Sequence, residues 1–246
     1  MQLLIGTSGY SYKHWANGVF YPPETPTTKW FEYYQRQFNA VELNVTFYRL
    51  PKKSTFAGWN KRAAKKFHFV LKGSRYITHL KRLKDADTPL HIFERAISPL
   101  KNKIKCILWQ LPPNFQRDDE RLKKFIQEIR ARKILKKYDQ VMELRHESWF
   151  DKRVFQMLKN ENVCLCLADP MKAPFRKEMI TADYLYLRFH GRVQYASNYP
   201  DDELRAWVKR VSPHAKRKKR LYAFFNNDSQ GFAPKNAVRF RELLRS

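Results

Sequence analysis

Short apolar runs recur along the chain, and almost every one gives way to a polar or charged residue. In order they are Leu3–Ile5, Ala40–Leu43, His68–Leu71, Cys106–Trp109, Gln140–Leu144, Val163–Ala168, Tyr184–Phe189 and Leu221–Phe225. Apolar runs this short, bounded by polar residues, read as strands covered on both faces. Between most of them lie stretches with helical spacing, and strands alternating with helices build a parallel sheet. Eight such units in 246 residues are about 31 residues each, the repeat of a (β/α)8 TIM barrel of ~250 residues. The expected fold is therefore α/β, a single (β/α)8 TIM barrel forming one domain over residues 1–246. Its sixth βα unit is expected to be irregular, because Pro170 to Thr181 carries no clear helical pattern.

Helix signals fall where a barrel needs them. Thr88-Pro89 reads as an N-cap followed by proline at the first helical position, leading into Leu90 to Ile97. Asp118 or Asp119 can cap a helix whose Leu122, Phe125, Ile126 and Ile129 form one apolar face. Asp151 can cap Val154 to Lys159. Pro200-Asp201-Asp202 opens a helix through Leu204 and Trp207, and Ala233-Pro234 opens the last one. The first loop, Ser8 to about Thr28, is rich in aromatics, including Tyr10 and Trp15. These rings either plug the barrel top or stack on a sugar or base.

Composition narrows the class. No apolar run approaches the ~20 residues that span a bilayer, so no membrane partner is expected. The amino terminus has no basic stretch and enters a strand at once, which predicts no secretory signal. Cys106, Cys164 and Cys166 all lie inside predicted strands, with no CxxC and no Cys/His zinc spacing. They read as buried, reduced thiols of a cytoplasmic protein. Charge is the unusual quantity: 49 Lys and Arg against 23 Asp and Glu, a net +26. Such a field attracts polyanions without regard to sequence, so non-specific nucleic acid is a candidate partner. The densest cluster, Lys216 to Arg220, precedes the eighth strand and so maps to the rim opposite a barrel's active site.

In a barrel of this kind the carboxyl ends of the strands carry the chemistry. Here those ends are Ser8, Asn44, Lys72, Gln110, Arg145, His146, Asp169, His190, Asn226 and Asn227. Several of them sit in ordered segments: Gly6-Thr7-Ser8-Gly9-Tyr10 with Trp15; Phe38 to Tyr48 with Pro51; Lys66 to Lys72 with Thr78-His79; and Leu108-Trp109-Gln110-Leu111-Pro112-Pro113. Then come Glu143-Leu144-Arg145-His146 with Ser148-Trp149, Tyr186 to Gly191, and Phe225-Asn226-Asn227-Asp228. In this order they resemble the YecE-like family, catalogued as domain of unknown function 72. The resemblance implies a TIM barrel distantly related to sugar isomerases, and it supplies no substrate.

Strand parity gives a separate test of which side chains face inward, since successive residues alternate faces. Glu42 and Asn44 share one face of their strand, as do Glu143 and Arg145, then Tyr186, Arg188 and His190, then Leu108 and Gln110. The bulky aliphatics occupy the other face, which suits contact with helices. Both faces of such a sheet are covered, so the polar face belongs to the barrel interior near its top. Buried charges must be paired: Glu42 and Glu143 can be offset by Lys72, Arg145 and Arg188. This set reads either as a structural ion-pair network or as a ligand site.

As a site, it assigns proton transfer to Glu42, Glu143 and His190. Ser8, Tyr10, Trp15, Asn44, Lys72, Gln110, Arg145, His146, Trp149, Arg188, Asn226 and Asn227 become substrate-binding candidates, the cations serving a phosphate or carboxylate. The inventory suits isomerisation, epimerisation or a lyase step on a small anionic carbohydrate-like molecule. It has no nucleophile elbow, Walker loop, GxGxxG or HExxH helix. No cofactor is expected. A divalent metal on Glu42, Glu143, Asp169 and His190 is the weaker reading, because Arg and Lys compete for those carboxylates. Of the seven histidines, only His146 and His190 closely follow a strand end, with His79 within reach through the third loop.

Overall fold

The computed structural model describes residues 1–193, 197–215 and 218–246. Each apolar run forms a strand, and the sixth forms two. The strands are β1 (Gln2–Thr7), β2 (Ala40–Leu43), β3 (His68–Lys72), β4 (Ile104–Gln110), β5 (Asp139–Glu143), β6 (Cys164–Leu165), β7 (Leu167–Asp169), β8 (Tyr184–Phe189) and β9 (Arg220–Phe225). They make two sheets, in the orders β2-β3-β4-β5-β6 and β1-β9-β8-β7. Every pairing is parallel, as the alternation of strands and helices requires.

The edges of the two sheets come together at two seams. At one, Cys166 alone separates β6 from β7, and its N–H donates to the Met142 carbonyl at 2.9 Å. At the other, side chains replace the backbone ladder between β1 and β2. Asn39 accepts from Ile5 N at 3.2 Å and donates to Leu3 O at 2.6 Å. The Tyr34 hydroxyl accepts from Thr7 N at 2.9 Å and donates to Ala40 O at 3.1 Å. Gly6 permits this approach, since a Cβ there would stand 2.1 Å from Ala40 O.

The helices are α1 (Trp30–Gln37), α2 (Val45–Tyr48), α3 (Lys53–Arg62), α4 (Asp87–Ile97), α5 (Asp119–Ala131), α6 (Lys152–Asn160), α7 (Asp201–Ala215) and α8 (Phe232–Leu243). Asp118 caps α5 by accepting from Arg121 N, and Asp151 caps α6 by accepting from Arg153 N, as expected. Thr88 is not a cap, because α4 already begins at Asp87. The segment after β7 has no α-helix and only a 3₁₀ turn, Lys177–Met179, which matches the irregular sixth unit.

Parity sorts the apolar side chains into two layers. Val41, Leu43, Phe69, Leu71, Ile107, Trp109, Met142 and Leu187 join the large core shared with the helices. Leu4, Val70, Leu108, Val141, Cys164 and Tyr186 form a separate cluster on the opposite strand faces. At the amino-terminal end of that inner face, Asp139 accepts from Arg220 at 2.7 and 2.8 Å and from the Tyr222 hydroxyl at 2.7 Å. The other end carries the site.

Candidate functional site

Arg188, near the end of β8, organises the inner face. Its side chain is fully buried, and so is that of Glu42 on β2. Nη2 and Nε donate to the two Glu42 oxygens at 2.6 and 3.0 Å, while Nη1 donates to Glu143 Oε2 at 2.6 Å. The Tyr186 hydroxyl adds a 2.6 Å bond to Glu42, and Gln110 Nε2 reaches Glu143 Oε1 at 2.8 Å. Burial alone would raise both carboxyls, but Arg188 and their hydrogen-bond donors outweigh it. Glu42 is held below the usual carboxylate range and Glu143 well below it. Burial would likewise weaken Arg188 as a cation, and the two glutamates more than reverse that. Ionised Glu42, Glu143, Arg188 and Lys72 sum to no net charge, which is how four ionisable groups share one interior.

Above Glu143 the strand ends open into a cavity of about 190 Å3. Gln110, Glu143 and His190 form its polar floor, Phe150 and Met171 line its apolar wall, and Arg145 and Lys172 bring cations. His190 Nε2 stands 3.5 Å from Glu143 Oε1, and its Nδ1 is 3.2 Å from the Asn226 amide nitrogen. Arg145 is half-buried, with no carboxylate within ion-pair distance among the described residues.

Several residues expected at the site lie elsewhere. Glu42 is sealed beneath Arg188 and does not line the cavity, and Arg188 is committed to two carboxylates. Trp15 is buried, donating to Asp228 O at 2.8 Å, and Trp149 is buried, donating to Phe115 O at 2.6 Å. Tyr10 packs on Phe31 and accepts from Trp59 Nε1 at 3.2 Å. The two tryptophans are core, and Tyr10 is half-buried against it. Asn227 is buried, bonding Ser197 O and Asn236. His146 caps the turn Glu147–Trp149 through Ser148 N. Asp169 accepts from Tyr199 and does not line the cavity. Ser8, Asn44 and Lys72 gather at the ends of β1, β2 and β3, outside the lining of this cavity.

Sequence reasoning missed Phe150, Cys166, Met171 and Lys172 as cavity residues. The shared face of Cys164 and Cys166 was a signal for the cysteine, whereas the irregular loop after β7 offered none. Among the described residues, no group of three or more His, Cys, Asp or Glu is arranged to hold a metal ion, since Arg188 fills the space between the two glutamates. No described helix is long and apolar enough to cross a membrane. In the basic cluster, Lys216 and Arg217 fall outside the described residues. The rest is engaged at the amino-terminal strand ends: Lys218 donates to Ala182 O, Lys219 pairs with Asp183, and Arg220 pairs with Asp139.

Fold and site define a class first: an α/β protein of all-parallel sheets, with an ion-paired polar layer beneath a cavity at the strand ends. The chain belongs to the family described as protein of unknown function DUF72, which matches residues 4–246. It is 24% identical to the UPF0759 protein YunF of Bacillus subtilis over 98% of this chain and 94% of that protein. It is 31% identical to the UPF0759 protein YecE of Escherichia coli K12 over 49% of this chain and 43% of that protein. A crystal structure of a DUF72 family protein from Thermotoga maritima superposes with a TM-score of 0.87 at 29% identity, covering 100% of each chain.

Proposed function

We propose that the two sheets close into a single (β/α)8 barrel and that the cavity at its mouth takes a small anionic carbohydrate-like molecule, on which His190 moves a proton. The observation that carries this reading is the His190–Glu143 pair, 3.5 Å apart, opening into a cavity that also receives Arg145 and Lys172. At about 190 Å3 the cavity falls below the ~300–1,000 Å3 usual for larger ligands, which favours a molecule of sugar-phosphate size or less. With Nε2 facing the Glu143 carboxylate and its ring at the cavity, His190 is placed to carry a proton. Glu143 is held too acidic to be an efficient general base at neutral pH, so its part is to orient His190 and balance its charge when protonated. Gln110 would orient a hydroxyl, Asn226, which does not line the cavity, would hold the His190 ring, and Arg145 with Lys172 would hold the anion. Removing a proton beside a carbonyl is the common step of isomerisation, epimerisation and several lyase reactions.

The test is a screen of melting shifts against inorganic phosphate and short sugar phosphates. A shift with sugar phosphates that Arg145→Gln abolishes supports the reading. Its absence at millimolar ligand in the wild-type protein overturns it. With a substrate in hand, His190→Asn should lower turnover by ~10²–10⁴-fold, the range of a lost acid–base group.

A further inference from the structure

Lys72 is a buried cation outside the hydrogen-bonded ion pairs of Arg188 and outside the lining of the cavity. It ends β3 with 6% of its surface exposed. Among the described residues no carboxylate lies within 4 Å of its ammonium and no acceptor takes a hydrogen bond from it. Its neighbour is instead the face of Phe47, with Nζ 4.1 Å from the ring centroid. The half-buried His79 meets the same ring edge-on, with centroids 4.9 Å apart. Across the adjoining strand ends, Asn44 donates to the Ser8 carbonyl at 3.2 Å, while Asn44 Oδ1 and Ser8 Oγ are buried without partners among the described residues. An amine, an imidazole and two unused polar oxygens thus gather at the ends of β1, β2 and β3, beside the first cavity and apart from its lining.

The charged groups acting on Lys72 are Arg188, Glu143, Glu42 and Arg145. Burial, then the Arg188 charge, draw its ammonium down to about 8, against the partial support of the two glutamates. Burial, then Lys72, Arg145 and Arg75, draw His79 down to about 4, so that its ring is neutral at pH 7. Such an amine is still largely an ammonium at pH 7, but it supplies far more free, nucleophilic base than a surface lysine does.

We propose that Lys72 is an imine-forming lysine, taking the aldehyde or ketone carbonyl of a small hydroxylated substrate, with His79 carrying the protons. The free amine's lone pair forms a C–N bond to the carbonyl carbon, and the C=O π electrons move to oxygen. The nitrogen loses a proton to His79, and His79 returns it to the oxygen. The C–O bond then breaks as the nitrogen lone pair forms C=N, and the remaining nitrogen proton passes through His79 to the departing hydroxide, giving water and a neutral imine. Carbonyl plus amine gives imine plus water, with no redox partner.

This goes beyond the anion reading and is tested without it. Wild-type protein is incubated at pH 7.5 with glycolaldehyde, a neutral probe, and sodium cyanoborohydride, which reduces the imine to a stable secondary amine. Peptide mass mapping then follows the label at each lysine. Lys72 should be labelled about 10²-fold faster than surface lysines, the ratio of free-amine fractions for values of about 8 and ~10.4. Its rate should level off above pH 8 while theirs still climb. His79→Asn should slow labelling of Lys72 alone. Labelling confined to surface lysines, or equal at Lys72 and the surface, overturns the proposal. Because the readout is wild-type protein and the probe carries no charge, failure here leaves the anion site standing, and a missing phosphate shift leaves Lys72 standing.

Discussion

Arg188 touches two carboxylates at once, and its guanidinium has little left to offer a ligand. Truncating one partner of such a set strands the others without compensation. Arg188→Met should therefore cost about 3–5 kcal/mol, the range for a broken buried ion pair, read as a lower denaturant midpoint at unchanged m-value. Loss of ligand binding at normal stability would instead make Arg188 a substrate residue, as its place on the strand first suggested. Strand parity read correctly that Glu42, Glu143, Arg188 and His190 face inward. It could not say how deep each sits, because depth depends on how neighbouring strands are staggered. Glu42 pairs in register with Val70 and is covered, whereas Glu143 pairs with Gln110 at the rim and meets the cavity. Likewise Trp15 and Trp149 lie in loops, where sequence cannot tell a ring that closes the top from one left open to a ligand.

Among the elements, strands were the most legible, because a run covered on both faces leaves a continuous apolar signature. Asp118 and Asp151 were legible as caps because a short carboxylate ahead of an amphipathic stretch has a local job. The seams were not, since they depend on residues distant in sequence. Tyr34, on α1, stitches β1 to β2 across the gap that Gly6 keeps narrow. Adding a methyl at Gly6 forces the two strands apart or displaces Ala40. Gly6→Ala should thus cost about 1–3 kcal/mol, as overpacking does. Tyr34→Phe, which removes the bridging hydroxyl and keeps the ring, should cost about 1 kcal/mol. Melting curves check both. If Gly6→Ala were silent, β1 and β2 would not be held at the distance described.

Across the whole molecule, the net charge of +26 loads the folded state with repulsion, and acid makes this worse by protonating carboxylates. Glu42 and Glu143 give that acid response a specific source. Both titrate lower in the folded chain than the ~4.3 of an unfolded glutamate. Just below that value the unfolded chain binds more protons, so stability rises with pH through this window. The contribution is fully present above about pH 5 and is lost as pH falls toward the folded values. Surface carboxylates such as Asp119 and Asp201 are also lowered by their arginines and act in the same direction. Salt separates the two sources, since a Debye length near 3 Å at 1 M screens exposed pairs far more than buried ones. Chemical denaturation in urea from pH 7 to pH 3, at 0.05 and 1 M NaCl, should show a fall below about pH 5 that high salt reduces and does not abolish. The variant Glu42→Gln, Glu143→Gln, Arg188→Met, which removes the three hydrogen-bonded charges of the ion-paired set together, should lose the salt-resistant part of that fall. If the variant retained it, the acid response would belong to the surface, and the buried network would be silent in the folding equilibrium.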